Sequence, residues 1–568
     1  MECTMQNRMP ILERYLDSLA ATNPSWYSSS VHGKVNHINT FCDLLSQDYR
    51  TTKDAEIHRC HEYEDSLFHE DSTLQEQRPI HISYSPVYGR YLAAFRDIKA
   101  GELIFQERPL VLAPKAGSGP TCLACLKALG NDWNGCQTCG APLCTPPCTG
   151  ESHTERECSV ISRLGLKGTK NLPLVKMLNV ILTPLRTLML TQEDTSAGEV
   201  IAALQSNMEK RKKLPIGRFI QEQIVGIFRS RMGLDIDSDI VHHICGVFDT
   251  NAFEVSLNDT CRGRALFPLG ALMNHSCSPN TQHWFNNGIM TVRAVTNIEV
   301  GEPVTNTYTP VLLGTRGRTA HLLATKLFKC MCKRCRDPTE LGSHISSIVC
   351  RECNVKKGLM VPPGDIGDNW ICQECGNQVS NTAIETLVRA ASAATSRMAS
   401  DDTETLVDTM EHVSRLLGPQ HYISLEMKYS LFNAILREAV SDISDENLQK
   451  VMRLSNDLLQ VASLVDPGLS RFRGLLLLGK LKASAEQLLR LEIQQNTNVD
   501  VILNNVNNLN EAGNKTEIVS PKKNISYQAQ VLLKEAKECE QILQYDHKVS
   551  EVAQMLDLLG RMAKTEES

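Results

Sequence analysis

The sequence has no long apolar run and no segment typical of a secretory signal. Its longest leucine run, Leu475–Leu478, lies between Arg473 and Lys480. That run is far shorter than the roughly 20 apolar residues of a membrane-spanning helix. Residues 1–19 are interrupted by charged side chains and lack an apolar h-region. We therefore expect a protein of the cytoplasm, the nucleus or both, where thiols remain reduced.

Strong net charge is missing as well. The formal charge of the 568 residues is −6, which provides no global field for holding DNA or RNA. No Gly-rich phosphate loop occurs, so direct, sequence-specific nucleic-acid binding is not expected. The basic run Lys210–Lys213 fits a nuclear address or, more often, a solvated helix end. A second basic group either guides an acidic peptide or is plain surface: Lys326, Lys329, Lys333, Arg334 and Arg336.

Cysteine, in contrast, is abundant. The chain has 21 cysteines, many of them clustered at the spacing of metal ligands. The first cluster offers eight donors, enough for two tetrahedral zinc sites: Cys122, Cys125, Cys136, Cys139, Cys144, Cys148, His153 and Cys158. So short a segment has no proper core, so we expect the metal to supply its folding energy.

Two further cysteine sets follow downstream. The later one is a complete four-thiolate set with Trp370 expected to pack beside it: Cys350, Cys353, Cys372 and Cys375. The earlier one has three ligands, Cys330, Cys332 and Cys335, and needs a fourth donor from elsewhere. Closed sites without a water position predict structural zinc. The remaining cysteines are expected in the core or at the surface: Cys3, Cys42, Cys60, Cys245, Cys261 and Cys539.

The residue pattern outside these clusters predicts an α+β protein. Short β-type runs precede the first cluster and return over residues 245–310. Helical spacing of apolar residues covers 174–190, with a kink or break at Pro184, and 216–229. A series of amphipathic helices is predicted at 382–398, 403–417, 424–440, 446–464, 470–491, 527–544 and 548–563. The Asn-rich stretch 494–524 predicts a loop or insertion.

An ordered series of motifs gives the signal for an enzyme. Asn274-His275-Ser276-Cys277 alone fits a capped loop with a core histidine. Here it follows Asn251-Ala252-Phe253 and precedes Gly301–Tyr308 and the three-cysteine set. In this order the motifs resemble the SET- and MYND-domain (SMYD) family of protein-lysine methyltransferases, over about residues 81–490. The tract from Gly314 to Cys332 is similar to the arthropod-specific branch of that family.

The resemblance implies a fold and its zinc ligands. It predicts a split, β-rich SET domain with a pseudoknot. The implied order is a partly ordered appendage (1–80), the first SET part (81–120), a MYND finger (121–158), a helical insert (159–240), the SET core (241–310), a post-SET segment (311–340), a zinc ribbon (341–378) and a helical, TPR-like domain (379–568). It pairs Cys122, Cys125, Cys144 and Cys148 on one zinc, and Cys136, Cys139, His153 and Cys158 on another. It adds Cys277 as the fourth ligand beside Cys330, Cys332 and Cys335, giving about four zinc ions in all.

The resemblance also implies methyl transfer from S-adenosylmethionine to a lysine of a histone or another protein, with a role in transcription and chromatin regulation. Tyr308 matches the catalytic tyrosine and would orient the lysine amine in line with the methyl group, the alternative being a buried core tyrosine. The implied cofactor contacts are Arg90, Tyr91, Asn251, Asn274, His275, Tyr308 and Phe328.

Two positions depart from the family pattern. Tyr91 stands where the second glycine of a Gly-x-Gly-Leu turn is usual, and Pro303 replaces a glutamate and removes a backbone donor. These departures keep open a second hypothesis, an adaptor with a silent SET domain. Its MYND finger would bind Pro-containing peptides, and its helical domain would bind partner proteins. Both hypotheses predict zinc, the same fold and a monomer.

Overall fold

The computed structural model describes residues 78–564 and, before them, Arg14 alone. Short gaps interrupt this range at 87–88, 131–132, 145–149, 169, 258–260, 287, 354–357, 364–368, 397–402, 507–520 and 545. The predicted appendage therefore lies almost wholly outside the described residues. The chain divides into two compact units. The first comprises Met1–Asn274, His283–Asn306 and Leu323–Leu327, and the second His275–Gln282, Thr307–Leu322 and Phe328–Ser568.

Short strands build the sheets of the first unit, although His275, Thr281 and Gln282 at the ends of two of these strands belong to the second unit. In chain order they are β1 (Ile80–Ser85), β2 (Gly89–Ala94), β3 (Leu103–Glu107), β4 (Val111–Pro114), β5 (Asn134–Gly135), β6 (Pro142–Leu143), β7 (Phe253–Ser256), β8 (Arg262–Leu266), β9 (Asn274–His275), β10 (Thr281–Asn286), β11 (Ile289–Ala294) and β12 (Thr305–Asn306). Strand β1 pairs with β2, β5 pairs with β6, and two three-stranded sheets have the orders β10-β11-β3 and β4-β8-β7. Along β1, buried Ile80 and Ile82 alternate with less buried residues, as expected for a strand that covers a core on one face.

Helices of the first unit follow the first cysteine cluster. They are α1 (Glu155–Ile161), α2 (Leu172–Glu193), α3 (Thr195–Ala203), α4 (Met208–Lys212), α5 (Pro215–Phe219), α6 (Gly226–Ser230) and α7 (Ser238–Asn251). A π-helical turn, Ile220–Val225, joins α5 to α6. Helix α2 begins at an Asn171 cap and runs through Pro184 without a break, so of the two predicted alternatives, a kink or a break, the break is wrong.

Helix α2 is, by length and composition, long and apolar enough to cross a membrane. No such segment was predicted from the sequence. However, 61% of its most apolar window is buried inside the protein. Leu178, Ile181, Leu182 and Leu185 are fully buried in the core of this unit. This burial is typical of the central helix of a folded domain.

The second unit combines a small sheet with a series of helices. Strands β13 (Ile348–Val349), β14 (Leu359–Val361), β15 (Trp370–Cys372) and β16 (Gln378–Val379) form one antiparallel sheet in that order. The helices that begin in this unit are α8 (Thr315–Lys326), α9 (Lys333–Arg336), α10 (Asn381–Ser396), α11 (Thr403–Leu417), α12 (Tyr422–Ile435), α13 (Asp445–Val465), α14 (Arg471–Val506), α15 (Pro521–Leu543) and α16 (Val549–Ala563). From α11 onwards, each helix packs against the next.

Two glycines allow helix α14 to pack closely on its neighbours. A Cβ atom at Gly479 would lie 2.3 Å from Cζ of the Phe432 ring in α12. One at Gly474 would lie 2.6 Å from a methyl carbon of Ile542 in α15. Neither distance is physically tolerable, so larger residues would push the helices apart.

The α+β class and the helical C-terminal region are thus confirmed. Every helix predicted after residue 380 is present, the one at 403–417 with its predicted ends and the others with shifted ends. The predicted Asn-rich loop is wrong in its first part, because α14 continues to Val506. Trp370 is 3% exposed in the ribbon core, as predicted.

Candidate active site and metal centres

The first cysteine cluster folds into two groups of donors. Ligand atoms of Cys136, Cys139, His153 and Cys158 lie within 4.8 Å of one another, and so do those of Cys122, Cys125 and Cys144. Cys148 lies outside the described residues. This grouping agrees with the interleaved order implied by the resemblance. Soft thiolates with one imidazole are a donor set that fits zinc.

An outer layer of hydrogen bonds fixes the one histidine donor. His153 presents Nε2 to the cluster, 3.5 Å from Cys139 Sγ, while its Nδ1 lies 2.8 Å from Glu157 Oε1. Arg186 in α2 donates to both oxygens of Glu157, at 2.6 and 3.1 Å, and to the carbonyl oxygens of Leu112 and Leu123. We call Glu157 and Arg186 the finger latch, because they join the metal cluster to a strand and a helix of the same unit.

Two four-cysteine groups lie in the second unit. Cys277 joins Cys330, Cys332 and Cys335 with all four sulfurs within 4.8 Å, which agrees with the fourth ligand implied by the resemblance. The other group has the same compactness: Cys350, Cys353, Cys372 and Cys375. Both sets are closed and all-thiolate, and both fit structural zinc. Of the cysteines left over, Cys245, Cys261 and Cys539 are buried, and the other three lie outside the described residues.

Tyr308, His275 and Phe328 come together in the second unit. The His275 ring lies 5.1 Å from the Tyr308 ring and 6.1 Å from the Phe328 ring, centre to centre. The main-chain N–H of Tyr308 donates to His275 Nδ1 at 3.0 Å. Burial lowers the pKa of His275 to about 4, so the imidazole is neutral. Burial raises the pKa of the Tyr308 phenol, which therefore keeps its proton.

An exposed aromatic ring and a buried, unsatisfied hydroxyl lie near His275 and Tyr308 and fit a ligand site. Phe328 is 36% exposed, an unusual fraction for a large aromatic side chain. The hydroxyl of Thr309, next to Tyr308 in the chain, is buried and has no hydrogen-bond partner among the described residues. An orphaned buried hydroxyl is costly unless a ligand or water satisfies it.

The other predicted cofactor residues, Arg90, Tyr91, Asn251 and Asn274, belong to the first unit. Asn251 ends helix α7, and its Nδ2 donates to the carbonyl oxygens of Gln205 and Val247 at 2.8 and 2.7 Å. This amide nitrogen therefore holds the end of the helix.

Strand β2 contains the substituted glycine position. Tyr91 lies in β2 opposite Ser83 of β1. Gly89, the first glycine of the motif, has the left-handed φ of +68° that glycine favours.

Pro303 does not interrupt the pairing in which it lies. Ala93 and Pro303 face each other in an antiparallel bridge. The N–H groups on either side, those of Ala94 and Val304, donate to the opposite carbonyl oxygens at 2.9 and 2.8 Å. Pro303 thus occupies a position whose N–H the neighbouring backbone does not need, and the missing donor costs no bond.

Three of the basic residues are less exposed than their sequence suggests. Arg334 is only 1% exposed, so the surface role offered for it is wrong. Lys326 is half-buried and donates to the carbonyl oxygens of Asp249 and Thr250 at the end of α7. Arg211, inside the run 210–213, is 7% exposed and donates to Asp249. Neither the finger latch nor the burial of Arg334 was predictable from the sequence, because charged residues are normally solvated.

Comparison with known proteins identifies a SET domain within the chain. The SET domain family matches residues 89–309. The chain is 37% identical over 319 residues to the SET domain-containing protein SmydA-8, isoform A, of Drosophila melanogaster, covering 53% of this chain and 66% of that protein. Isoform B is 31% identical over 316 residues, with coverage of 52% and 66%. The matched part therefore spans about two thirds of these relatives, 66% in each case.

The chain also has weaker similarities to other proteins. The histone-lysine N-methyltransferase SMYD3 of Mus musculus is 28% identical over 266 residues, covering 44% of this chain and 59% of that protein. Among solved structures, the SET domain of LSMT bound to MeLysine and AdoHcy is 12% identical with a TM-score of 0.24, covering 86% of this chain and 88% of that one.

Proposed function

We propose that this chain, which belongs to the SMYD family of SET-domain proteins and to its arthropod SmydA-like branch, is an S-adenosylmethionine-dependent protein-lysine N-methyltransferase. The observation that carries the proposal is the grouping of Tyr308, His275 and Phe328 beside the Cys277 cluster. Several relatives with the same domain carry methyltransferase names, among them the mouse SMYD3 protein.

Methyl transfer requires an amine to meet the methyl carbon in line. S-adenosylmethionine, when bound, supplies an electrophilic methyl group on a positively charged sulfur. The lysine nitrogen would have to lose its proton to solvent before it could accept that methyl group. Tyr308 keeps its proton because burial raises its pKa, so its part is to orient the reactants by hydrogen bonding. The exposed Phe328 ring would cover the adenine.

The finer assignments follow the same resemblance. The first cysteine cluster acts as a MYND finger that binds Pro-containing peptides, and the helices after residue 380 form a TPR-like domain that binds partner proteins. Arg90, Tyr91, Asn251, Asn274 and His275 contact the cofactor. The protein acts as a monomer in the cytoplasm, the nucleus or both, without direct nucleic-acid binding, and regulates transcription by methylating a histone or another protein.

Two measurements test the activity. Calorimetry should detect S-adenosylhomocysteine binding to the zinc-loaded protein, and labelled methyl donor should mark lysines in histones or in a protein array. Tyr308→Phe should lower the rate on the order of 100-fold, because an amine that is misplaced by about 1 Å reacts that much more slowly. Its matched control is Tyr429→Phe, which removes a hydroxyl from a tyrosine stacked on Phe432 in helix α12 and should change nothing.

The adaptor hypothesis makes the opposite prediction. A silent SET domain would bind no S-adenosylhomocysteine and label no lysine, yet would hold the same zinc. Full activity of Tyr308→Phe would remove the role given to this side chain while leaving the enzyme class intact.

A further inference from the structure

Three charged side chains are buried together in the second unit. Arg318 is 0% exposed, and Arg334 and Glu340 are each 1% exposed. Glu340 Oε2 accepts from Arg318 Nη1 at 2.7 Å and from Arg334 Nε at 2.9 Å. Its other oxygen accepts from the N–H of Thr315 and the hydroxyl of Ser346. We call Arg318, Arg334 and Glu340 the buried triad. Removing three charges from water carries a large desolvation penalty, which only well-placed hydrogen-bond and ion-pair partners offset.

The triad is adjacent to the Cys277 cluster. Arg318 Nη2 lies 3.6 Å from Cys335 Sγ. Arg334 Nη1 donates to the carbonyl oxygen of Cys277 at 3.1 Å. Two guanidiniums and one carboxylate leave one positive charge in the triad. A zinc ion held by four thiolates carries a net charge of about −2. The excess positive charge of the triad therefore lies beside the negative charge of the thiolates and would stabilise the metal site.

The imidazole of His275 connects the Cys277 cluster to Tyr308. His275 Nδ1 accepts from the main-chain N–H of Tyr308 at 3.0 Å, and Nε2 lies 3.1 Å from Cys277 Sγ. Because Nδ1 accepts, the ring proton of a neutral imidazole is on Nε2, which donates to the sulfur. His275 thus joins the cysteine sulfur directly to the backbone of the tyrosine.

We propose that the buried triad positions Tyr308 by holding the Cys277 metal site and, through it, His275. This inference rests on the proposed function, since it gives a structural zinc site a part in orienting the reacting tyrosine. Removal of the Arg318 guanidinium leaves Glu340 with one ion-pair partner, takes away the excess positive charge beside the thiolates and breaks the contact with Cys335. The cluster then shifts, and the Tyr308 backbone shifts with it.

The test uses the zinc-loaded full chain and three readouts. These are the rate of zinc release to a chromophoric chelator, hydrogen exchange of the Tyr308 amide, and kcat and KM for methyl transfer. Arg318→Met should release one zinc of about four early and speed exchange of the Tyr308 amide about tenfold or more. It should lower kcat on the order of 100-fold with little change in KM. Arg318→Lys, which keeps the charge, should recover part of each loss.

Arg316→Met is the matched control on the same helix. Arg316 pairs with Glu385, but the two side chains are 38% and 42% exposed, so the pair contributes little. This variant should leave all three readouts as in the wild type. If Arg318→Met does not fold, Arg318→Lys and Glu340→Gln carry the test, since the first keeps the charge and the second keeps the size of the side chain.

The outcomes separate this inference from the proposed function. If the wild-type protein transferred no methyl group, the proposed function would be refuted. Zinc release and amide exchange would still show whether the buried triad positions Tyr308. Zinc release and Tyr308 exchange at wild-type rates in both Arg318→Lys and Glu340→Gln would overturn the inference, even in an active enzyme. Zinc loss without faster Tyr308 exchange would also overturn it, because the triad would then serve the metal alone.

Discussion

Among single residues, His421 should make the helical region sensitive to acid. Its ring is 2% exposed, and Nδ1 accepts from the N–H of Ile423 at the start of α12. Burial lowers its pKa to about 3, despite the opposing effect of Glu340. The unfolded chain binds a proton near pH 6.5 whereas the folded chain does not until about pH 3. Stability from this residue is therefore present at neutral pH and lost as the pH falls below about 6.5.

His421→Asn isolates that contribution, because asparagine also caps a helix but does not titrate. Between about pH 7.5 and pH 5.5, the wild type should lose about 1.4 kcal/mol of unfolding free energy more than the variant. Denaturant midpoints measured at both pH values give the difference. The zinc ligands are common to both proteins, so their own acid sensitivity cancels. Equal losses in the two proteins would show that His421 does not titrate on unfolding.

At the level of single residues, the sequence predicted the metal ligands best, because metal binding requires donors at fixed spacings. Paired cysteines predicted the metal clusters, and the resemblance to the SMYD family supplied the fourth ligand, Cys277. The buried triad was not predictable in the same way. Arg318, Arg334 and Glu340 look like ordinary surface charges in sequence, and only tertiary packing brings them together. Burial of a charge depends on its partners, which lie up to 22 positions away here.

Between elements, the finger latch should govern how firmly the first metal cluster holds its ion. Glu157→Gln keeps the size of the side chain but removes the charge that orients His153 and pairs with Arg186. Loss of such a partner typically lowers metal affinity about 10- to 100-fold. Chelator competition on the full chain should therefore show one zinc, of about four, bound more weakly.

Arg156→Met provides the control for the latch. Arg156 joins the same helices, α1 and α2, through an ion pair with Glu193 whose side chains are 44% and 56% exposed. Its loss should leave zinc affinity unchanged, because exposed pairs contribute little. Equal zinc affinity in Glu157→Gln and Arg156→Met would contradict the latch.

Element ends were the least predictable feature of the chain. Pro184 suggested a break, yet the burial of both flanking turns of α2 outweighs its low helix propensity. The Asn-rich composition of 494–524 predicted a loop, although α14 continues to Val506. Val499, Ile502, Leu503 and Val506 recur at positions i, i+3, i+4 and i+7, the helical period that composition alone overlooks.

For the whole molecule, stability is divided between metal and apolar packing. The four groups of metal donors occupy residues 122–158 and 277–375, whereas the cores of helices α12–α16 contain no group of such donors among the described residues. Helices α13 and α14 bury Leu448, Leu458 and Leu476 completely. The domain order could be predicted because each segment has its own composition. The division of stability required the packing to be known.

Chelation should therefore unfold one part of the chain and spare the other. Purified protein should contain about four zinc ions by elemental analysis, and a strong chelator should remove them. Hydrogen exchange should then rise in residues 121–164 and 330–375 while helices α13 and α14 stay protected, because burial of apolar side chains stabilises those helices. Adding zinc back should restore protection. Fewer than about two ions per chain, or equal loss of protection throughout, would mean that metal does not hold these segments as their donor groups indicate.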